Sequence, residues 1–396
     1  MAPERADTAD VVVIGGGVVG ASVAYHLAER GCANVLVVER APEQGAGSTG
    51  RATGGARAQF STAVNISMSL YSLEFIANFR EATGRDAGYL PVGYLFVATD
   101  EAQLDGLKAA RERQRAAGLT DVELLSAAEV ARRAPRLRAD NIVGGTFRQR
   151  DGFVAPLELM RGFTERALAR GARLWAGTEV TGIETEGGRV VAVQTSRGAV
   201  ATRAVVNAAG AWAAQVARLA GVEVPVAPLR RQIVCVRPAA PLAEGTPMVI
   251  DLSDGFHFRA VVSDRVWRPE VLLAWPDPAE PSGFDAELDP SFVPRILARA
   301  AASVPSFAGA EAVPGLSRAG LYEMTPDHHA IVCESKQVGG FFLACGFSGH
   351  GVMHSPATGR AVADLVLDGR TEAFDIAPLD AERFARGRLI EETALL

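Results

Sequence analysis

The sequence predicts a two-domain protein that combines α/β and α+β architecture, with a parallel-sheet domain beside a domain built on a mixed, largely antiparallel β-sheet. Three observations lead to this fold class. A strand–helix–strand pattern occupies 10–39, apolar strand-like runs recur at 204–207 and 341–344, and short β-type runs separated by Pro, Gly and Asp fill 225–281. A chain of 396 residues is also too long for one small core, so two domains are expected.

The N-terminal pattern is typical of a βαβ unit. Residues 10–14 form a β-branched run that predicts a buried strand, and 18–30 carry apolar residues at helical spacing. Gly31 ends this helix, and a second apolar strand covers 34–38. Strand, helix and strand within about thirty residues predict neighbouring parallel strands.

A Gly-rich turn joins the first strand to the helix. Gly15 permits the tight turn, Gly17 lets the backbone approach a diphosphate, and Gly20 lets helix and strand pack closely. The N–H groups at the start of the helix, at Val18 and Val19, favour negative charge there. The turn therefore predicts a Rossmann-like dinucleotide site.

An acid in the expected place narrows the choice of dinucleotide. Glu39 ends the second strand, nineteen residues after Gly20, where a carboxylate can bind ribose hydroxyls. An acid disfavours the 2′-phosphate of NADP, and this unit alone leaves NAD and FAD open.

Two further Gly-rich segments bear on that choice. The first, 45–57, has no periodicity and predicts a loop just beyond the ribose-binding strand, where small residues would let a flavin ring approach the backbone. The second, 345–356, passes from a strand into a helix, whose dipole could stabilise negative charge on a reduced flavin.

The remaining elements follow from periodicity, turns and caps. Helices are predicted at 61–81, 100–117, 156–170 and 355–367, a capping box opens a short helix at Ser126, and a hairpin is predicted over 179–195, turning at 186–188. Strands are also predicted at 172–174, 232–236, 248–250, 256–262 and 271–275.

Composition excludes several classes of protein. A net charge of −6 supplies no basic field for nucleic acid, and no apolar run is long enough to span a membrane. The four cysteines are scattered, and the first ten residues lack a signal-peptide pattern, so a cytoplasmic protein is expected. The adjacent His328 and His329 would point to opposite faces of a strand, so no metal site is predicted.

Several motifs occur together in a recognisable order. They are the Gly15–Gly20 turn, the loop at 51–57, the segment 207–212, the segment Gly320-Leu321-Tyr322-Glu323-Met324-Thr325-Pro326-Asp327-His328, and the turn Gly346-Phe347-Ser348-Gly349-His350-Gly351. In this order the chain resembles the D-amino-acid-oxidase-like FAD flavoproteins, in the branch of sarcosine oxidase, glycine oxidase and the β-subunits of sarcosine oxidase and proline dehydrogenase. The resemblance spans nearly the whole chain.

The resemblance implies an FAD-dependent enzyme that oxidises a C–N bond in a small amine or (N-alkyl) amino acid. Hydride would pass to flavin N5 and leave an imine that hydrolyses. The implied Rossmann-like FAD-binding domain is discontinuous and comprises 1–82, 145–222 and 312–396. The implied substrate domain comprises 83–144 and 223–311.

The resemblance also implies the residues that surround FAD. They comprise the Gly-rich turn, the residues after the second strand, the following loop, two positions in the middle of the chain and the closing turn. In full they are Gly15, Gly17, Val18, Val19, Gly20, Glu39, Arg40, Ser48, Thr49, Arg51, Gly54, Gly55, Val180, Gly210, Gly346, Ser348, Gly349, His350, Gly351, Val352 and Met353.

Five residues are candidates for the substrate end of the site. Arg57 could meet a carboxylate in two parallel hydrogen bonds or serve as a loop arginine, and Tyr322 matches a family active-site tyrosine. His257 lies where relatives often carry a pocket tyrosine, and Arg259 shares its strand face as a second carboxylate candidate. His350 is expected near the flavin rather than as a general base.

Departures from the family pattern leave the electron acceptor open. Gly320 stands where monomeric sarcosine oxidases attach FAD through cysteine, so FAD is expected to be non-covalent. Leu272 and Met353 replace lysines, one of them associated with oxygen activation, so either O2 or another acceptor is compatible. A subunit that passes electrons to a partner and a flavin-binding assembly protein without turnover remain alternatives.

Overall fold

A computed structural model describes residues 7–138, 140–313 and 315–392. Residues 1–6, 139, 314 and 393–396 lie outside the described residues. The predicted domain segments 1–82, 83–144 and 312–396 are therefore described except at these positions.

Twenty-one strands are present in the described part of the chain. In order they are β1 Asp7–Thr8, β2 Val11–Ile14, β3 Val35–Val38, β4 Gly55–Ala56, β5 Tyr94–Ala98, β6 Glu123–Ser126, β7 Gly144–Arg148, β8 Gly152–Phe153, β9 Arg173–Trp175, β10 Val180–Glu186, β11 Arg189–Thr195, β12 Gly198–Ala201, β13 Val205–Asn207, β14 Ala227–Arg237, β15 Met248–Asp251, β16 His257–Ser263, β17 Val266–Ala274, β18 Glu311–Ala312, β19 Arg318–Met324, β20 Ile331–Glu334 and β21 Phe341–Cys345.

Eleven α-helices accompany these strands in the same described ranges. They are α1 Val18–Glu29, α2 Ser48–Arg51, α3 Ala63–Ala77, α4 Phe79–Thr83, α5 Glu101–Ala116, α6 Ala127–Arg133, α7 Pro156–Ala169, α8 Ala213–Leu219, α9 Phe292–Ser303, α10 Gly351–Asp368 and α11 Glu382–Ala385. A short 3₁₀ helix, Gly210–Trp212, precedes α8.

A six-stranded sheet has the order β20-β21-β13-β2-β3-β9, and all its pairs are parallel except β20 with β21. Its central strands β2, β3, β13 and β21 are buried along their whole length. Continuous apolar runs are typical of parallel strands covered on both faces. Helices α1, α7 and α10 pack together over one face of this sheet. A four-stranded sheet, β1-β12-β11-β10, lies beside it.

A nine-stranded sheet forms the second structural unit. Its order is β18-β14-β17-β16-β15-β5-β7-β6, with β19 also paired to β14. The pair β15–β5 is parallel and the other pairs are antiparallel, so the predicted fold class is confirmed. Strands β7 and β19 pair within this sheet although most of β7 and all of β19 fall in the predicted cofactor segments 145–222 and 312–396.

Several elements differ from the sequence prediction. The stretch 45–57 contains α2 and β4, and the predicted helix 61–81 is divided at Asn78 into α3 and α4. Strands β5, β6 and β7 were not predicted. Helix α10 begins at Gly351, earlier than predicted, and includes Pro356 in its second turn. Pro356 has no N–H to donate to Val352 O, and this carbonyl accepts the Ser355 hydroxyl at 2.9 Å instead.

Other local predictions are confirmed. The capping box at Ser126 is formed, with the Glu129 carboxylate accepting the Ser126 N–H at 2.8 Å. The hairpin over 179–195 appears as β10 and β11. No helix of the described residues is long and apolar enough to cross a membrane.

Candidate cofactor and substrate site

A cavity of about 550 Å³ lies between the six-stranded sheet and the nine-stranded sheet. It is lined by the N-terminal Gly-rich turn, by the loop after β3, by the closing turn before α10 and by one face of the large sheet. Of the residues predicted from the sequence to surround cofactor or substrate, all except Gly20, Arg259 and Gly346 line this cavity. Distant segments of the chain therefore meet at one site.

The Gly-rich turn is closed by backbone contacts that exclude side chains. Gly15 has a φ of 104°, and a Cβ placed on it would lie 2.8 Å from the Ala208 carbonyl carbon. A Cβ on Gly20 would overlap the Gly15 carbonyl oxygen, so Gly20 lies behind the turn and permits α1 to pass close to it. Helix α1 begins after Gly17, which has no side-chain cap, so its positive end is available to an anion in the cavity.

Polar side chains hold this turn in place. The Glu39 carboxylate accepts the Gly16 N–H at 2.8 Å and the Ala41 N–H at 2.7 Å. The Thr49 hydroxyl accepts the Val18 N–H at 3.1 Å and thereby occupies one of the donors at the start of α1. The sequence does not predict this contact, because 45–57 has no periodicity and indicates a loop rather than the short helix α2.

The loop 45–57 is attached to the large sheet through backbone carbonyls. The Ser48 hydroxyl donates to Leu321 O at 2.6 Å, and Arg51 Nη1 donates to Ala319 O at 2.8 Å. From the sheet, Arg259 Nε donates to Thr53 O at 2.9 Å. Arg259 does not line the cavity, in contrast to the prediction that it could bind a substrate carboxylate. Its side chain holds the loop through the Thr53 carbonyl instead.

The closing turn brings a second helix N-terminus to the cavity. Gly346 and Gly349 have φ values of 75° and 101°, a region that favours glycine. A Cβ on Gly349 would overlap the Tyr322 ring, so the turn packs directly against that tyrosine. Helix α10 starts after His350 without a side-chain cap, and its first residues line the cavity.

Glu323 supports the closing turn and was not identified from the sequence. Its carboxylate accepts the Gly346 N–H at 2.9 Å and also the Phe347 N–H. Burial raises the pKa of Glu323 to about 7, although these two hydrogen bonds favour the ionised form. The sequence signal for Glu323 is only its position next to Tyr322. Adjacent residues of a strand point to opposite faces, so alternation does not predict that the Glu323 carboxylate contacts the same turn as the Tyr322 ring.

Arg57 is enclosed by its own loop. Its guanidinium lies 4.0 Å from the Phe60 ring centroid, its Nη1 donates to Gln59 O at 2.7 Å, and only 1% of the residue is exposed. The buried Asp151 carboxylate fixes this loop, accepting the Ala58 N–H at 3.0 Å and the Gln59 amide at 3.1 Å. Burial lowers the pKa of Arg57.

His257 and Tyr322 occupy the large-sheet side of the cavity. His257 Nδ1 lies 2.9 Å from Gly255 O, so this nitrogen carries the proton of the neutral ring and Nε2 carries a lone pair. Burial lowers the pKa of His257 and keeps the ring neutral. Burial raises the pKa of Tyr322, so its hydroxyl remains a donor.

The histidines of the closing turn are also neutral. The His350 ring lies edge-on to Phe60 at 5.0 Å, and burial, together with Arg57, keeps the pKa of His350 well below its usual range. His354 Nε2 lies 2.9 Å from the Ser69 hydroxyl, and burial lowers its pKa to about 3. Neither ring adds positive charge to the cavity near neutral pH.

Two groups of residues lie outside the reactive part of the site. His328 and His329 lie on a turn rather than on a strand, and His329 Nδ1 contacts Asp327 O at 2.7 Å. Among the described residues, no cluster of three or more His, Cys, Asp or Glu is placed to hold a metal ion. The Cys333 and Cys345 thiols are buried and do not line the cavity, whereas Gly320 does.

Arg231 lines the cavity and was also missed from the sequence. It lies on β14 beside the Tyr322 ring, with its Cζ 5.7 Å from the ring centroid. Three consecutive polar residues, Arg230 to Gln232, hid the strand alternation that directs the middle side chain to the cavity.

The arrangement suits a long dinucleotide whose far end carries a planar ring. The first turn offers a glycine-lined backbone and a helix N-terminus for a diphosphate, and Glu39 lines the cavity beside it. The second helix N-terminus, at Gly351, faces the same cavity between the first turn and the large sheet. A dinucleotide that ends at the first turn would leave this second positive end without a partner.

Comparison with known proteins agrees with this geometry. Residues 10–365 match the DAO family, described as FAD dependent oxidoreductase. The chain is 33% identical to FAD-dependent oxidoreductase domain-containing protein 1 of Xenopus laevis, over 96% of this chain and 83% of that protein. It is 32% identical to glycine oxidase of Geobacillus kaustophilus (strain HTA426), over 94% of this chain and 97% of that one.

The fold is shared with a solved enzyme. The crystal structure of L-proline dehydrogenase from P. horikoshii superposes with a TM-score of 0.88 at 28% identity, covering 97% of this chain and 100% of that chain.

Proposed function

Since the chain belongs to the DAO family of FAD-dependent oxidoreductases and is an FAD-dependent enzyme, we propose that it oxidises a C–N bond in a small amine or amino acid. The observation that carries the proposal is the face of the large sheet that presents His257 and Tyr322 to the cavity, opposite the N-terminus of α10. Two of the similar proteins are named for glycine and L-proline, which supports an amino-acid substrate.

The bound flavin would supply the redox chemistry by accepting a hydride from the carbon next to nitrogen, and the resulting imine would be hydrolysed by water. The contribution of the protein is to bind, orient and deprotonate the substrate. A protonated amine cannot release a hydride readily, so one proton must leave the nitrogen first.

We propose that His257 Nε2 accepts this proton. The hydrogen bond from Nδ1–H to Gly255 O fixes the tautomer that leaves the Nε2 lone pair free. Burial lowers the pKa of His257, so the ring would pass the proton on to water rather than retain it. The Tyr322 hydroxyl remains protonated and can donate to the substrate. Neutral His350 would shape the cavity, and Arg57 would add positive potential to it.

An electron acceptor other than O2 is favoured by the residues that replace the lysines. Met353 lines the cavity as a buried, uncharged side chain, and Leu272 is buried on β17. Without a lysine at these two positions, electron transfer to O2 should be slow. A partner subunit that accepts the electrons is compatible with this proposal.

Anaerobic substrate mixing tests the proposal. The purified holoenzyme is mixed with sarcosine, proline, glycine and D-amino acids, and flavin absorbance is followed. We expect at least one of them to bleach the flavin band. Absence of bleaching across a broad amine panel would refute C–N oxidation and favour a flavin-binding assembly role.

Air readmission to the bleached enzyme tests the acceptor. Recovery of flavin absorbance over hours is expected for a dehydrogenase, whereas recovery within seconds would identify an oxidase.

A His257→Phe variant should lose activity most strongly at low pH, where the amine is fully protonated, and should retain FAD.

A further inference from the structure

Arg231 lies where strand alternation directs its side chain into the cavity. On β14 it pairs with Gly320 of β19, two positions from the pair that Leu229 makes with Tyr322. Directly paired residues share a sheet face, so Arg231 and Tyr322 lie on the same face. The adjacent Arg230 points to the opposite face and binds Glu280 at 2.9 Å.

The charge of Arg231 has no counter-ion in the part of the chain that the structure describes. Its Nη1 is buried there without a hydrogen-bond partner, and no carboxylate forms an ion pair with it. The acids closest in electrostatic effect are Asp277 and Glu280. Asp277 pairs with Arg295 at 2.7 Å, and Glu280 pairs with Arg230, so neither is available.

An unpaired charge in this position indicates a ligand from outside the chain. A buried charged donor is costly unless an acceptor pairs with it. Arg231 lines the cavity on the same sheet face as Tyr322. Its unpaired Nη1 therefore indicates a site completed by an acceptor from outside the chain.

Arg57 differs from Arg231 in this respect. Its guanidinium donates to Gln59 O and stacks on Phe60, and the Asp151 and Glu392 carboxylates lie close enough to act on its charge. The cation predicted from the sequence to meet substrate is therefore already held by the protein. The cation that the sequence did not reveal is the one whose charge is unmatched.

We propose that Arg231 binds the carboxylate of the substrate. The identity of the ligand as a substrate rests on the proposed function. Binding of an anion by Arg231 does not depend on it. Preferred substrates are then small amines that carry a carboxylate, and amines of the same size without one bind weakly.

Binding of an unreactive acid tests this directly. The holoenzyme is titrated with propionate and with its neutral isostere propionamide, and Kd is obtained from the change in flavin absorbance. Arg231→Gln should raise the Kd for propionate about 10- to 100-fold, as expected for loss of a charge-assisted hydrogen bond, and leave that for propionamide unchanged. Arg231→Lys keeps the charge and should lose less.

The matched control is Arg237→Gln on the same strand, where Arg237 forms an exposed ion pair with Glu270. It should leave the Kd unchanged. Unchanged propionate binding in Arg231→Gln, loss of binding only in Arg57→Gln, equal binding of propionate and propionamide by the parent enzyme, or loss of FAD from Arg231→Gln would each overturn the proposal. If propionate binds through Arg231 while no amine bleaches the flavin, the proposed oxidation fails and the anion site stands.

Discussion

The two ends of the cavity are constructed in different ways. The cofactor end is made of backbone: Gly15 and Gly17 place no side chain between the backbone and the cavity, and two helix N-termini face the same space. The substrate end is made of side chains that project from separate strands of the large sheet, among them His257 and Arg231.

This difference determines which information each end requires. A backbone site depends on where side chains are absent, and a short run of residues specifies it completely. A side-chain site depends on strand register, since a shift of one residue would turn Arg231 away from the cavity. Changes at the two ends should therefore fail differently.

The largest effect is expected at the cofactor end. In Gly20→Ala the added methyl group would overlap the Gly15 carbonyl, so the turn cannot close. We expect FAD affinity to fall sharply, because the third glycine of this turn permits close packing of helix and strand. Flavin retention on gel filtration measures it. A variant that keeps stoichiometric FAD would show that the turn is not specified by its backbone.

The second largest effect is expected in stability, at the buried Asp151 carboxylate that holds the Arg57 loop. Asp151→Asn removes the charge that pairs with the buried Arg148 at 2.7 Å and weakens the hold on the Arg57 loop. We expect a loss of about 3 kcal/mol in the free energy of unfolding, measured in urea. The control Asp105→Asn breaks an exposed pair with Lys108 and should cost less than about 1 kcal/mol. Equal losses in the two variants would contradict this interpretation.

A pH-dependent change in the free energy of unfolding is expected from Glu323, whose carboxylate supports the closing turn. The folded-state pKa of Glu323 is raised by burial from 4.5 to about 7, so the folded protein holds this proton more tightly than the unfolded chain does. The stabilisation is complete below pH 4.5 and is lost as the pH rises through 7, with a slope of at most about 1.4 kcal/mol per pH unit. Glu323→Gln should flatten this part of the curve of unfolding midpoint against pH. An unchanged slope would show that Glu323 is ionised throughout.

The smallest effect provides a reference for both ends. Gly106 lies on the exposed side of α5, and a Cβ there would meet nothing within 4 Å. Gly106→Ala should raise the free energy of unfolding by about 0.5–1 kcal/mol through helix propensity. FAD affinity and propionate binding should both remain at their original values. A change in either would indicate coupling between α5 and the cavity.

The contrast also explains what the sequence could predict. The βαβ unit, the hairpin 179–195 and the closing turn follow from local patterns, and nearly every residue expected near the cofactor lines the cavity. Thr49 was recognised as a cofactor-loop residue, but its contact with α1 depends on a helix of only four residues. Such a short helix has no periodicity to detect.

The substrate end was less predictable for a physical reason. Arg231 and Glu323 owe their positions to pairings between strands far apart in the chain, such as β14 with β19. Arg57 and Arg259 were recognised as cations, but the acceptors of their hydrogen bonds are backbone carbonyls whose positions follow only from the folded chain. Residue type indicated which groups can bind an anion, and tertiary structure decides which of them is available.

The order of strands in the six-stranded sheet has a consequence for how the protein is made. Strand β2 lies beside β13, and β13 lies beside β21, so the members of each of these two pairs are separated by well over a hundred residues. Helix α1 packs against α10, where a Cβ on Gly359 would lie 2.6 Å from the His26 ring. During synthesis the N-terminal turn therefore emerges long before its partners, with its apolar strands exposed. The cavity is complete only after α10 has been translated, since the first residues of this helix form part of its wall.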